Sequence, residues 1–325
     1  MTKFHSLRCI LASGLLAAVP HLVMAQAWPA KTITLVVPQS PGTAVDTMSR
    51  VIAKVLGERL SQAVVVDNKP GGSGNIGANI VVAAAPDGYS VLVAANNLSI
   101  APYVTRNLAW DPVRDFAPLA MPAMAPLILA ANLDVNARNL GELVALVKTQ
   151  PGKINYGSSG KGTPHHLAMA QLQQASGMEL FHVPFKSLGE MITAMVGNQV
   201  QIGFAAPGNV LPLAKAGKLK LFAVSAPGRL PQAPDLPTLR ELGLPAAETQ
   251  VWVGMFAPSR TPADIVNRYS KEMDEVVKAA EFKDTMNNLG FLIPSPSNAD
   301  RMAAQLREDK VKMPKLLQAA GVGFD

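Results

Sequence analysis

Short runs of valine, isoleucine and leucine alternate along this chain with stretches whose apolar residues return every three or four positions. Residues 32–37 read as a strand, and a Pro/Gly loop joins it to a helix over 43–60, where Met48, Ile52, Val55 and Leu56 form one stripe. A strand at 64–66 leads through 68–74 to a helix over 75–85, and the turn Pro86-Asp87-Gly88 leads to a strand at 90–94. Strands this short and this apolar belong to a sheet covered by helices on both faces, with mainly parallel pairing. After a Pro/Ala-rich segment at 111–126 and a strand at 127–130, the alternation resumes. It runs through helix 140–148, strand 154–156, loop 157–162, helix 164–176, strand 179–183, helix 189–196, strand 201–204, helix 209–216 and strand 219–225. A connector with five prolines covers 226–247, and a strand at 250–256 reads as the return crossing. Thr261-Pro262-Ala263-Asp264 marks the start of a helix over 262–280, and Ser297-x-x-Asp300 marks another.

Two domains suit a chain of 325 residues, and 49 % apolar against 16 % charged residues is enough for two cores. The N-terminus reads as an export signal over 1–27. Lys3 and Arg8 precede the apolar stretch 10–23, and Ala25-Gln26-Ala27 is a small-x-small cleavage site. The one cysteine, Cys9, falls inside that segment, so the exported chain offers neither a disulfide nor a thiolate. Loss of Lys3 and Arg8 lowers the formal charge from +6 to +4, and the remaining basic residues are scattered rather than clustered. With four tyrosines and no basic–aromatic alternation, a nucleic-acid partner has no support. The expectation is a periplasmic monomer.

Three loops follow strands and open helices, the arrangement that leaves helix amides without partners and favours an anion. The first, Pro38-Gln39-Ser40-Pro41-Gly42-Thr43, leads into a helix carrying Asp46 on its first turn. Asp46 reads as a cap for loop amides or a contact to a ligand amino group, with a base paired to His166 as the reactive alternative. The second, Gly72-Ser73-Gly74-Asn75-Ile76-Gly77, has the spacing G-x-G-x-x-G. It follows the second strand rather than the first, and the next strand runs into Ala95-Asn96-Asn97 without the carboxylate a ribose requires. No cofactor is expected. The third, Gly157-Ser158-Ser159-Gly160-Lys161-Gly162-Thr163-Pro164-His165-His166, offers Thr163 as a cap before Pro164. It fits neither a nucleophile elbow nor a phosphate loop. Adjacent histidines on a helix point about 100° apart and cannot chelate one metal, so no metal site is expected. Lys186 reads as a solvated charge or a counter-ion, and Trp252 as packing or a cleft wall.

Taken in order, the residues resemble the Bug, or TctC-like, solute-binding proteins of tripartite tricarboxylate transporters. The matching pieces include Trp28-Pro29-x-Lys31, Val37-Pro38-x-x-Pro41-Gly42-x-x-x-Asp46 and Val66-x-Asn68-x-Pro70-Gly71-x-x-Gly74-Asn75-Ile76-Gly77. Ala85-Pro86-Asp87-Gly88-Tyr89, Asp111-Pro112-x-x-Asp115-Phe116 and Pro151-Gly152-Lys153-x-Asn155-Tyr156 continue the series. Ser158-Ser159-Gly160-x-Gly162-Thr163-Pro164-x-His166, His182-Val183-Pro184-Phe185-Lys186, Ala216-Gly217-Lys218-Leu219 and Asp235-x-Pro237-Thr238 complete it.

The resemblance implies an α/β, two-domain periplasmic-binding-protein-like fold of type II, each lobe a mainly parallel sheet flanked by helices, with the ligand in the inter-lobe cleft. Lobe 1 is expected over 28–123 plus about 252–325, and lobe 2 over about 124–251. The implied ligand is a small carboxylate, a di- or tricarboxylate, amino acid or aromatic acid. It would be held by Pro41, Gly42, Thr43, Asp46 and Asn97 on one side and Ser158, Thr163, His166 and Lys186 on the other. Membrane transporter subunits or a sensor kinase are the implied partners, and no catalytic residue is expected. Thr43, Ala170, Ser187 and Ala205-Ala206 depart from the family's usual residues, which points to a less polar carboxylate. A periplasmic hydrolase using Ser159 and His166 is the alternative from another class.

Overall fold

A computed structural model describes residues 28–150 and 152–323. The export segment expected over 1–27 lies outside the described residues. Among those described, no helix is long and apolar enough to cross a membrane. The first half runs β1 (Ile33–Val37), α1 (Ala44–Leu60), β2 (Val64–Asn68), a short turn of 3-10 helix (Gly72–Gly74), α2 (Asn75–Val82), β3 (Ser90–Ala95) and α3 (Asn97–Val104). The long strand β4 (Phe116–Ala131) then carries the chain into the second half. There follow α4 (Leu140–Thr149), β5 (Asn155–Ser158), α5 (Pro164–Ser176), β6 (Phe181–Pro184), α6 (Leu188–Val196), β7 (Ile202–Ala205), α7 (Pro207–Lys215) and β8 (Lys220–Ser225). Strand β9 (Gln250–Pro258) returns, and α8 (Ala263–Val276), α9 (Ala280–Leu289) and α10 (Ala299–Ala319) close the fold.

The strands lie in the order β2-β1-β3-β9-β4-β7-β5-β6, with β8 on the other edge of β4. The outer strands are parallel: β1 with β2 and β3, and β5 with β6 and β7. The two crossing strands run against them, β9 antiparallel to β3 and β4 antiparallel to β9, β7 and β8. Residues Phe116–Pro126 of β4 pair with β9, while Leu127–Ala131 pair with β7 and β8, so one strand belongs to both halves.

Alternation along each strand divides the core into layers. In β1, Leu35 and Val37 meet α1, α8 and α9 through Met48, Ile52, Tyr269 and Phe282, while Val36 meets α2 and α10 on the opposite face through Val81 and Met302. In β4, Leu127 and Leu129 face α4 and α5, and Ile128 and Ala130 face α6 and α7. Each such fully buried leucine or isoleucine contributes about 1.5–3 kcal/mol. A fifth cluster, Ile100, Leu167, Met313, Leu316 and Leu317, ties α3 to α5 through the end of α10.

Several sequence expectations shift. The strand expected at 127–130 is much longer: β4 starts at Phe116, inside the Pro/Ala-rich segment, and contains Pro118, Pro122 and Pro126. Proline donates no hydrogen bond, and the pairing slips between Pro118 and Ala120 and again between Ala120 and Ala123 to accommodate it. Helix α3 was not anticipated, because Asn97 follows β3 almost directly and Pro102 interrupts the helical pattern. The helix over 262–280 stops at Val276, and α9 is separate. Thr261 does not cap α8, since its hydroxyl donates to the Pro258 carbonyl at 2.8 Å. Ser297 gives its proton to the Met121 carbonyl, and the neighbouring Asn298 caps α10 instead, accepting from the Arg301 N–H at 3.0 Å.

Candidate functional site

The β1–α1 loop is held from beneath by a buried carboxylate. Asp46 is 2 % exposed and accepts from the Gly42 N–H at 2.8 Å, from Arg50 Nε at 3.1 Å and from Asn68 Nδ2 at 2.9 Å. Arg50 Nη2 closes the pair at 3.0 Å. Burial alone would raise the Asp46 pKa, but the hydrogen bonds from Arg50, Gly42 and Asn68 and the Arg50 charge outweigh it and hold the carboxyl below its ordinary value. Both Asp46 oxygens are therefore taken, by Gly42 of the loop, Arg50 of α1 and Asn68 of β2. The base reading with His166 is not formed, and the capping reading describes the contacts. Thr43 is the N-cap of α1, and its hydroxyl accepts from the Asp46 N–H at a long 3.4 Å. The Gly42 amide is thus already used. The amides of Ala44 and Val45 find no acceptor among the described residues, and these two are what the helix start can offer a ligand.

The β5–α5 loop is pinned differently, by neutral rings. Ser158 is fully buried; its hydroxyl donates to the Gly160 carbonyl at 3.0 Å and accepts from the Gly160 N–H at 3.1 Å. With that proton committed, the 2.7 Å contact to His182 Nε2 is a donation from the ring. His166, 2 % exposed, accepts the Gly162 N–H at Nδ1 over 3.0 Å, which requires that nitrogen to be unprotonated. The rings of His166 and His182 stack at 3.9 Å, and Tyr156 stacks on His182 at 4.8 Å. Burial, the neighbouring His182 and Lys161 push His166 down to about 4; burial takes His165 to about 4 and, with Lys161, also lowers His182. Burial pushes the Tyr156 phenol up to about 12.

The pairing expected for a hydrolase is absent. Ser159 Oγ lies 2.8 Å from His165 Nδ1, not from His166, because consecutive helical residues face different ways and only His165 turns toward the serine. Thr163 sits at the N-cap of α5 but does not cap it, since its hydroxyl turns back to the Gly160 carbonyl at 2.7 Å. Pro164 has no N–H, so the amides of His165 and His166 are the open donors, without an acceptor among the described residues.

The β5–α5 loop meets the 72–77 turn beside α3. Asn97 and Thr163 border one cavity of about 160 Å³, together with Ser73, Lys161, Gly162 and the α3 side chains. Pro41, Gly42, Thr43 and Asp46 stand together at the start of α1, outside that lining. Lys186 is exposed, and its N–H donates to the Glu190 carboxylate at 3.3 Å. The glycines of the 72–77 turn have a packing explanation. A Cβ on Gly74 would strike Asn97 Nδ2 at 2.5 Å, and one on Gly77 would meet Pro38 at 2.9 Å. Sequence reasoning did not include Arg50, Asn68, Tyr156 or His182 in the site. The i,i+4 spacing of Asp46 and Arg50 could have flagged the first pair.

Two half-sheets joined by long crossing strands, with helix starts at the ends of β1 and β5, define an α/β fold of the solute-binding class. Residues 48–322 match the Tripartite tricarboxylate transporter family receptor, and this chain belongs to that family. It is 32 % identical over 288 residues to the "UPF0065 protein in tcbD-tcbE intergenic region" of Pseudomonas sp. (strain P51), covering 87 % of this chain and 86 % of that one. Among solved structures it resembles the periplasmic binding protein BugD, at 30 % identity and TM-score 0.74, over 92 % of this chain and 100 % of that one. Rpa4515 of R. palustris, solved with adipate, is 27 % identical with TM-score 0.77, over 92 % and 100 %. MatC from Rhodopseudomonas palustris, solved with malate, is 28 % identical with TM-score 0.73, over 89 % and 99 %.

Proposed function

We propose that this chain is a periplasmic solute-binding protein that captures a small carboxylate between two lobes. Lobe 1 comprises 28–123 plus about 252–325, lobe 2 about 124–251, and β4 and β9 serve as the hinge. The observation that carries the reading is the pair of uncommitted helix starts, Ala44–Val45 and His165–His166, on opposite halves of the fold. Each amide donated to a carboxylate in a closed, dry cleft contributes about 1.5–3 kcal/mol. Pro41, Gly42, Thr43 and Asn97 shape the first wall, with Asp46 holding its loop; Ser158, Thr163 and His166 shape the second, with Lys186 at the rim. Closure about the hinge favours ligands that touch both walls. The adipate and malate bound by two relatives support this ligand class. In this reading the protein is exported by its 1–27 segment, works as a monomer without a cofactor, and hands its ligand to transporter subunits or a sensor kinase.

A thermal-shift panel of mono-, di- and tricarboxylates, amino acids and aromatic acids on residues 28–325 tests the proposal. One class raises the melting temperature and is recovered unchanged. The Ser159–His165 contact favours a second reading, ester or amide hydrolysis. Turnover of a carboxylic ester, abolished by Ser159→Ala, would replace binding with catalysis as the function.

A further inference from the structure

We infer that the hollow between α10 and the start of β9 is a second binding site, which takes a primary ammonium group on a short carbon stem. It shares no lining residue with the helix starts at Ala44–Val45 and His165–His166, so it is independent of the carboxylate reading. Its volume is about 300 Å³, room for roughly ten waters or one small molecule. One of its walls carries Asp309, a carboxylate on α10 that is 2 % exposed. The Asp309 oxygens accept from Trp252 Nε1 and Gln305 Nε2, each at 2.8 Å, and both donors are neutral. No cation among the described residues pairs with Asp309: Lys310 turns to Asp111 at 3.9 Å, and Lys312 points its Nζ at the Glu248 carbonyl, 3.4 Å away. Burial, joined by the Glu308 charge, raises the Asp309 pKa above its ordinary value against those hydrogen bonds.

A second group in the lining asks for a donor as well. Asn96, just past β3, is 6 % exposed, caps no helix with its side chain, and its Oδ1 has no hydrogen-bond partner. A buried acceptor without a donor is costly, and an ammonium brings three donors at once. Three carboxylates and one lysine line the hollow, and only the Glu248 carboxylate is already matched, by Arg240 at 2.7 and 2.8 Å. That balance repels an anion, and a neutral alcohol would leave the Asp309 charge uncompensated. A metal ion fits less well, because it needs several close oxygen ligands. Among the described residues no cluster of three or more acidic, histidine or cysteine side chains could hold one. Met124, Trp252 and Met313 supply apolar surface for the carbon stem.

The test is an NMR titration of residues 28–325 with butylammonium chloride, set against butanol, which has no charge, tetramethylammonium, which has no N–H, and calcium chloride. The chain holds three tryptophans, Trp28, Trp110 and Trp252, so the indole N–H that donates to Asp309 gives its own signal, assigned with Trp252→Phe. Butylammonium is expected to move that signal saturably, with butanol and tetramethylammonium binding at least about tenfold more weakly. Asp309→Asn weakens butylammonium by about tenfold or more, and Asn96→Ala and Glu308→Gln by about threefold each. Glu308 is exposed, so its substitution leaves folding aside, and Glu308→Gln with Asn96→Ala decides the matter if Asp309→Asn does not fold. The inference is overturned by a Trp252 signal that does not respond, by an equal response to butanol or tetramethylammonium, or by a preference for calcium. Amine affinity unchanged in folded Asp309→Asn, or in both other variants, overturns it too. Each of these results leaves the carboxylate reading standing, because the two sites share no residue.

Discussion

The loops after β1 and β5 have the same topology, a parallel strand running into a helix through Pro, Gly and hydroxyl residues, yet they are held by opposite chemistry. The first is fixed by an ionised carboxylate with Arg50, Asn68 and the Gly42 amide around it. The second is fixed by uncharged imidazoles that accept a backbone amide, donate to a buried serine and stack on one another. Both devices leave the outermost helix amides free. The inner donors of each loop are consumed within the fold, in one case by a charge and in the other by neutral rings.

The difference is open to attack by mutation, most strongly at Asp46. Asp46→Ala leaves Asn68 and the Gly42 amide without their acceptor and should cost about 3 kcal/mol in urea unfolding. The lower part of the range for a buried pair applies because the Arg50 side chain is 54 % exposed and can be rehydrated. A loss below about 1 kcal/mol would mean that the carboxylate does not organise the loop.

Acid separates the two loops by pH window. His165 and His166 titrate near 4 in the fold against 6.5 when free, so the unfolded chain binds more protons between those values. Stability therefore falls as pH drops from about 6.5 to about 4, by an amount on the order of 3 kcal/mol for each of the two histidines, and their contribution is then exhausted. The Asp46 carboxyl is held below its ordinary value, so its stabilisation persists through that window and is lost only as pH falls further. Urea midpoints measured at closely spaced pH values should show two descents. Replacing His165 and His166 by asparagine should flatten the upper one alone.

Smaller effects probe the backbone. Gly42 has φ +82° with open space where a Cβ would go, so Gly42→Ala should cost about 1 kcal/mol of left-handed strain without a clash. Thr43→Ala should cost less, about 0.5–1 kcal/mol, because the cap it removes is a long hydrogen bond. Both are read from urea unfolding, and a Thr43 effect exceeding that of Gly42 would reverse the order predicted for this loop.

Much of this architecture is written locally. The β1–α1 and β5–α5 units are legible because apolar alternation, a Pro/Gly loop and a helical stripe follow one another within twenty residues. Strand β4 was half hidden, since two of its three prolines, Pro118 and Pro122, fall at register slips that depend on where β9 lies. The supports of the site were hidden for a similar reason. Asn68 reaches Asp46 only through the pairing of Val37 with Asn68 across β1 and β2, and His182 reaches Tyr156 through the register of β5 with β6. Spacing along one chain carries no record of such pairings, so the two strand–helix loops could be named while the groups that brace them could not.

A crystal structure of residues 28–325 with the acid that gives the largest thermal shift tests the central claim most directly. The ligand carboxylate is expected between the lobes, within hydrogen-bond distance of the Ala44 and Val45 amides or those of His165 and His166. A ligand lodged away from both helix starts, for example in the separate hollow beside Trp252 and Asp309, would contradict it.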